Sequence, residues 1–301
     1  MQTFSHLEKI FYGTVFLFAE RSNSTDSYRR LGGDSMNYLL SCICLTFSIF
    51  TSAGVYTSSA PLHSASRGYR EPAASALQRY RQRLALYGVR AIQEDTPLGQ
   101  AKPIDMLSYE RVPAYQSVTV AAQAFAKLRD TKFIKDSNHN MVRRSSWLYP
   151  DDGCFARAAL AVQNLKTWKM PAPAKLFIFG NLTVKTNNSP NGSVSWWYHV
   201  VPIVMVGQQP VVFDPAINSA GPMYLKDWIA TMTTNLKTVS FSICKPSSYA
   251  PSSPCAADSN SSDPALDHQM MYLTAEWDRV TEMKRDPTKE LGDYPPWSRR
   301  R

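Results

Sequence analysis

Three residues have the chemical types of a thiol hydrolase and fall in the order Cys154, His199, Asp214. A cysteine attacks a carbonyl carbon as its thiolate. A histidine carries the proton between thiol and leaving group, and a carboxylate holds the imidazole in one tautomer and supports its positive charge. Read singly, each has a plainer fate. The thiol fills space in a core, the histidine is a satisfied group in a half-buried strand, and the aspartate caps a strand end. The case for chemistry rests on the elements that their surroundings predict.

Around the cysteine, Phe155, Ala158, Ala159, Val162 and Leu165 recur at helical spacing, which predicts a buried helix with Cys154 in its first turn. Asp151 or Asp152 is expected to cap the first N–H groups. Lys166 and Lys169 suit the C-terminal end of the dipole, and Pro171 stops the run. Unsatisfied N–H groups and a positive dipole end favour the thiolate, and the same groups can receive a developing oxyanion. Residues 174–181 read as a strand. The runs 195–206 and 211–215 flank a turn at Gly207-Gln208-Gln209-Pro210 and read as an antiparallel hairpin. Pairing about that turn sets Asp214 across from Val201. His199, two residues away, shares the face of Val201 and comes within reach of Asp214.

These segments resemble the bacterial secreted protein-glutaminases. The resemblance is carried by Tyr149-Pro150-Asp151-Asp152-Gly153-Cys154-Phe155-Ala156-Arg157-Ala158, Phe179-Gly180-Asn181-Leu182, Trp196-Trp197-Tyr198-His199-Val200, Asp214-Pro215-Ala216, Ser219-Ala220-Gly221-Pro222 and Trp228. It implies an α+β fold with a transglutaminase-like (papain-like) core, the catalytic cysteine at a helix N-terminus packed on an antiparallel sheet. It implies Cys154, His199 and Asp214 as the catalytic residues of a hydrolase that turns protein-bound glutamine into glutamate and ammonia through a thioester. It needs no metal or organic cofactor. Transglutaminase-like acyl transfer and cysteine peptidase activity would use the same triad, and a binding module on the same fold is the non-enzymatic alternative. Trp196, Trp197 and Tyr198 are substrate-side candidates, to be weighed against the commoner fate of aromatics in a core. Pro202 interrupts the strand after the histidine and predicts an edge or a bulge there.

The chain has 301 residues and a formal net charge of +9, with 44% hydrophobic residues, enough for a substantial core. The basic balance raises nucleic acid or an anionic membrane as partners. No nucleic-acid motif supports the first, and the arginines between Arg67 and Arg90 suit a solvated helix face. Residues 36–60 pair a short apolar run with small residues and read as a secretory leader, with Ile10 to Ala19 as a second candidate. Both runs are short for a membrane span, so membrane contact is expected only through an uncleaved leader and the location is secreted or periplasmic. The domain plan is then a leader over 1–60, a pro-segment over 61–113 suggested by the resemblance, a catalytic domain over 114–256 and a C-terminal extension over 257–301, partly helical or disordered. Helices are expected from Pro72 to Tyr87 and from Ser117 to Phe133, and residues 131–146 read as a polar surface loop. Cys244 and Cys255 flank a Ser/Pro-rich loop and are expected to form a disulfide, in keeping with export. The expected partners are proteins or peptides with an accessible glutamine, and the pro-segment within the chain itself.

Overall fold

The computed structural model describes residues 67, 71–86, 94–135, 142–256 and 265–292. Contacts divide the chain into Met1–Val55 and Tyr56–Arg301. The leader expectations lie outside the described residues. Among those described, no helix is long and apolar enough to cross a membrane.

The order of elements is α1 (Ala73–Leu86), β1 (Ala114–Tyr115), α2 (Val118–Asp130), β2 (Ile134–Lys135), β3 (Val142–Arg143), α3 (Cys154–Thr167), β4 (Ala174–Lys185) and β5 (Ser193–Val206). It continues with β6 (Gln209–Val212), β7 (Met223–Tyr224), α4 (Leu225–Ala230), β8 (Ser240–Cys244), α5 (Ala265–Glu282) and α6 (Pro287–Leu291). The main sheet runs β7-β6-β5-β4-β8. Its long strands are antiparallel, and β1 joins the end of β5 in parallel. The fold is thus mixed α and β around an antiparallel sheet. From Ala174 to Phe179, β4 is buried on both faces, with Phe177 and Phe179 in one apolar cluster and Leu176 and Ile178 in another. Burial on both faces explains why its sequence is a continuous apolar run and not an alternating one.

The hairpin register agrees with its sequence pattern. Val206 pairs with Gln209 and Ile203 with Val212, and the Phe213 N–H donates to the Pro202 carbonyl at 3.0 Å. Continuing that register sets Asp214 opposite Val201. Pro202 does not mark an edge, because β5 lies between β4 and β6, and the irregularity in its pairing falls instead between Phe179 and Leu182 of β4. The proline is tolerated because its missing N–H lies on the side of β6, just past the point where β6 ends.

One further expectation needs correction. The stretch 131–146 contains β2 and β3, with Ile134 and Arg143 buried, so its basic pair is not a surface feature. The extension after residue 257 contributes α5, whose Gln269, Glu276 and Arg279 are all buried. Residues 94–112 also join the body of the fold. Lys102 bridges to Phe241, the Cys255 N–H donates to the Asp95 carbonyl, and Val112 is buried in the sheet's core.

Candidate active site

Helix α3 begins at Cys154. Its N-cap is Gly153, at φ 80°, and no side chain caps it. The expected aspartate cap is absent because both carboxylates are used elsewhere. Asp152 Oδ1 accepts the N–H of its neighbour Gly153 at 2.7 Å, and Asp151 pairs with Arg279 at 2.6 Å. Glycine is required at 153 on two counts. Its φ is in the left-handed region, and a Cβ there would lie 2.6 Å from the Tyr272 ring. One turn into the helix, buried Arg157 donates to the carbonyls of Ser146, Tyr149 and Asp152 at 3.3, 3.1 and 2.7 Å. The helix therefore grips the segment that leads into it.

His199 sits in the middle of β5 opposite Ile178, only 1% exposed. Its Nε2 is 2.8 Å from Asp214 Oδ2, and that same oxygen accepts the Trp228 indole N–H at 2.9 Å. The ring lies between two indoles, stacked on Trp196 at 4.8 Å and on Trp228 at 5.8 Å between centroids. Nδ1 makes no hydrogen bond of ordinary geometry, so it is the nitrogen open to the nearby Cys154 thiol. Burial alone would lower the imidazole pKa. The Asp214 carboxylate, by charge and hydrogen bond, and then Cys154 outweigh it and raise the value to about 9. For Asp214, burial pushes upward but His199, the Trp228 indole and Arg157 prevail, and the carboxyl titrates below its ordinary range. Cys154, His199 and Asp214 line one cavity of about 10 Å³ together with Trp147 and Phe213.

The three aromatic candidates are buried. Besides its stacking on His199, Trp196 donates its N–H to the carbonyls of Pro150 and Asp151 at 3.0 and 3.2 Å, tying β5 to the segment before the cysteine. Trp196, Trp197 and Tyr198 line a second cavity with Cys154, Asp152 and, from the N-terminal side, Arg67, Ala73 and Ala76. Its volume is about 20 Å³, room for roughly one water. Helix α1 closes this side, with Tyr80 against the Trp197 ring at 5.0 Å between centroids. The Arg67 N–H donates to Asp152, and its guanidinium reaches the Ser195 and Glu71 carbonyls.

Cys244 and Cys255 are joined, and Cys154 is the unpaired cysteine among the described residues. Among those residues, no group of His, Cys, Asp and Glu is placed to hold a metal ion. Sequence reasoning missed the Trp228 hydrogen bond, the Arg157 fan and every contribution of α5. The Trp228 bond and the α5 contacts had no local signal, because each joins residues brought together only by the fold; the Arg157 fan, though short in sequence, depends on how the loop before α3 folds back on it.

The family model described as Glutaminase matches residues 121–232, which include all three reactive side chains. No curated protein matches the chain. Among solved structures, a crystal structure of pro-protein-glutaminase is similar at 21% identity and TM-score 0.40, over 56% of this chain and 61% of that one. The chain thus spans about three-fifths of that pro-form. The NMR structure of protein-glutaminase from Chryseobacterium proteolyticum is similar at 20% identity and TM-score 0.40, over 54% of this chain and 88% of that one.

Proposed function

We propose that this chain, whose residues 121–232 match the glutaminase family model, hydrolyses the side-chain amide of glutamine in proteins or peptides to glutamate and ammonia. The carrying observation is the buried His199, held by Asp214 through one ring nitrogen and open to Cys154 through the other. An imidazole whose pKa is raised to about 9 is protonated at neutral pH and makes an ion pair with a thiolate. Cys154 Sγ attacks the amide carbon, and the charge that collects on oxygen meets the uncapped N-terminal turn of α3. The C–N bond breaks as His199 gives its proton to the nitrogen, and ammonia leaves a thioester. Water then attacks, His199 accepts its proton, and glutamate departs as the thiolate reforms. Asp214 holds the ring throughout. This reading treats the core as transglutaminase-like.

We also propose that residues 67–86 act as the covering segment of a pro-form. The space left beside Cys154 takes about one water and no glutamine side chain. A tethered cover works at high effective concentration and needs little affinity of its own. The integration of residues 94–112 moves the expected junction from near Pro113 into the stretch 87–93. The disulfide suits an oxidising compartment, in line with export.

The test is a glutamine-containing peptide supplied with and without a primary amine. Deamidation predicts one ammonia released per glutamate formed, with intact backbone. Amine incorporated in place of glutamate formation, or a cleaved backbone, would replace this reading with acyl transfer or peptidase activity.

A further inference from the structure

Helix α5 lies outside the residues that match the glutaminase family. Its buried face is unusual in being polar at helical spacing: Gln269, Tyr272, Glu276 and Arg279 all meet the segment 146–153 that leads to Cys154. Gln269 Nε2 donates to Ser146 Oγ at 2.5 Å. Glu276, 0% exposed, accepts the Leu148 N–H at 2.7 Å and pairs with Arg144 and Arg143 at 3.3 and 3.4 Å. Arg279 bonds Asp151 and also the Asn188 carbonyl at 2.8 Å, and its guanidinium lies 5.2 Å from the Tyr149 ring centroid. Tyr272 stacks on Tyr149 at 6.3 Å between centroids and occupies the space a side chain at 153 would need. Its hydroxyl is a hydrogen-bonding neighbour of the Asp152 carboxyl.

A helix that served only to fill space would present apolar side chains here. Buried polar side chains that each make at least one such bond, although Gln269 Oε1 makes none, instead favour one geometry, because a shift leaves further polar atoms unpaired in a low dielectric. The residues they fix are adjacent to the nucleophile, and Asp152 is the charge nearest to it in sequence. We propose that α5 is the positioning element of the nucleophile: it fixes segment 146–153, with Tyr272 packed over Gly153 between Asp152 and Cys154. The inference rests on Cys154 being the reactive thiol.

Asp152 is buried, with 7% of its surface exposed. From α1 and the residues before it, Arg67 and Arg79 act on it, and from α3 Arg157. Tyr198 of β5, Tyr149 of the segment itself and Tyr272 of α5 complete the surround. Burial raises the Asp152 pKa to about 6, against the bonds from Arg67, Gly153 and Tyr272 that lower it. Removing the tyrosine hydroxyl therefore moves it further upward.

The test uses the full chain with Cys42→Ser and Cys44→Ser, so that alkylation by iodoacetamide reports Cys154. The rate is followed against pH by mass spectrometry of the Cys154 peptide. The parent chain is expected to show an inflection near pH 6. Tyr272→Phe, which keeps the ring over Gly153, should move it upward by about half a unit or more, and Asp152→Asn should remove it. A change in stability alone would not shift this midpoint. Identical profiles in the three proteins would overturn the proposal. If Tyr272→Phe does not fold, Asp152→Asn decides alone: loss of the inflection supports the proposal and its persistence overturns it. Ammonia release is measured in parallel. A shifted alkylation profile with no ammonia released even by the uncovered chain beginning at Glu94 would sink the deamidase reading and leave the positioning role standing.

Discussion

Helices α1 and α5 flank the cysteine, α1 packed on β5 and α5 on α3, and they do so by opposite means. Helix α1 buries Ala73, Ala76, Tyr80 and Leu84, an apolar stripe that needs no specific partner. Helix α5 buries Gln269, Glu276 and Arg279 beside Tyr272 and Leu273, and its polar groups each reach a named atom. Apolar packing can be undone with a cost proportional to area, and both surfaces are then wetted. A buried charge network cannot be half undone, because what remains is an unpaired ion. The difference suits a detachable cover on one side and a fixed support on the other.

Glu276→Ala should give the largest effect on stability. It removes the carboxylate shared by Arg143, Arg144 and the Leu148 N–H, and breaking a buried pair from one side costs about 3–5 kcal/mol. Denaturant unfolding would measure it. A loss under about 1 kcal/mol would put α5 in the same class as α1. The histidine pair gives a comparable term through pH. Its folded-state value, raised from 6.5 to about 9, means the folded chain holds this proton more tightly. The stabilisation is complete below about pH 6.5 and lost as pH rises through about 9, and at roughly 1.4 kcal/mol per unit it amounts to roughly 3 kcal/mol. Stability measured from pH 6 to pH 10 should fall by that order in the parent chain and lack the fall in His199→Ala.

The expected effect of removing α1 is on activity. A chain beginning at Glu94 should remain folded and act several-fold faster on a protein substrate than the chain beginning at Arg67. A shorter chain that does not fold would show α1 to be scaffold. The smallest change is Tyr80→Ala, which removes the ring packed on Trp197. It should raise activity by a factor of a few while leaving the unfolding midpoint of the 94–292 body unchanged. A midpoint that fell as far as in Glu276→Ala would erase the contrast between the two helices.

What the sequence disclosed divides along the same line. Cys154, His199 and Asp214 sit on elements with strong local periodicity, and a turn of known length carries the hairpin register from Val206 to Asp214. Pro202 misled because its pairing depends on where β6 stops, a property of the neighbouring strand. The Asp151 and Asp152 pair reads locally as a cap, yet α5 takes one and Gly153 with Tyr272 the other. Trp228 was visible as a motif residue, but not as the donor that shares Asp214 Oδ2 with His199. On α5 the apolar positions Ala265, Tyr272, Leu273 and Val280 mark the buried side, but nothing in their spacing tells that Gln269, Glu276 and Arg279 are buried with them.

The central claim is that Cys154 performs the chemistry. The measurement is ammonia release from a glutamine-containing peptide by the uncovered chain beginning at Glu94 and its Cys154→Ala, His199→Ala and Asp214→Asn variants, each verified as folded. The account predicts no detectable release by Cys154→Ala, nearly none by His199→Ala and a larger residual rate for Asp214→Asn, which keeps the base but weakens its hold. Release by folded Cys154→Ala at the parent rate would contradict it.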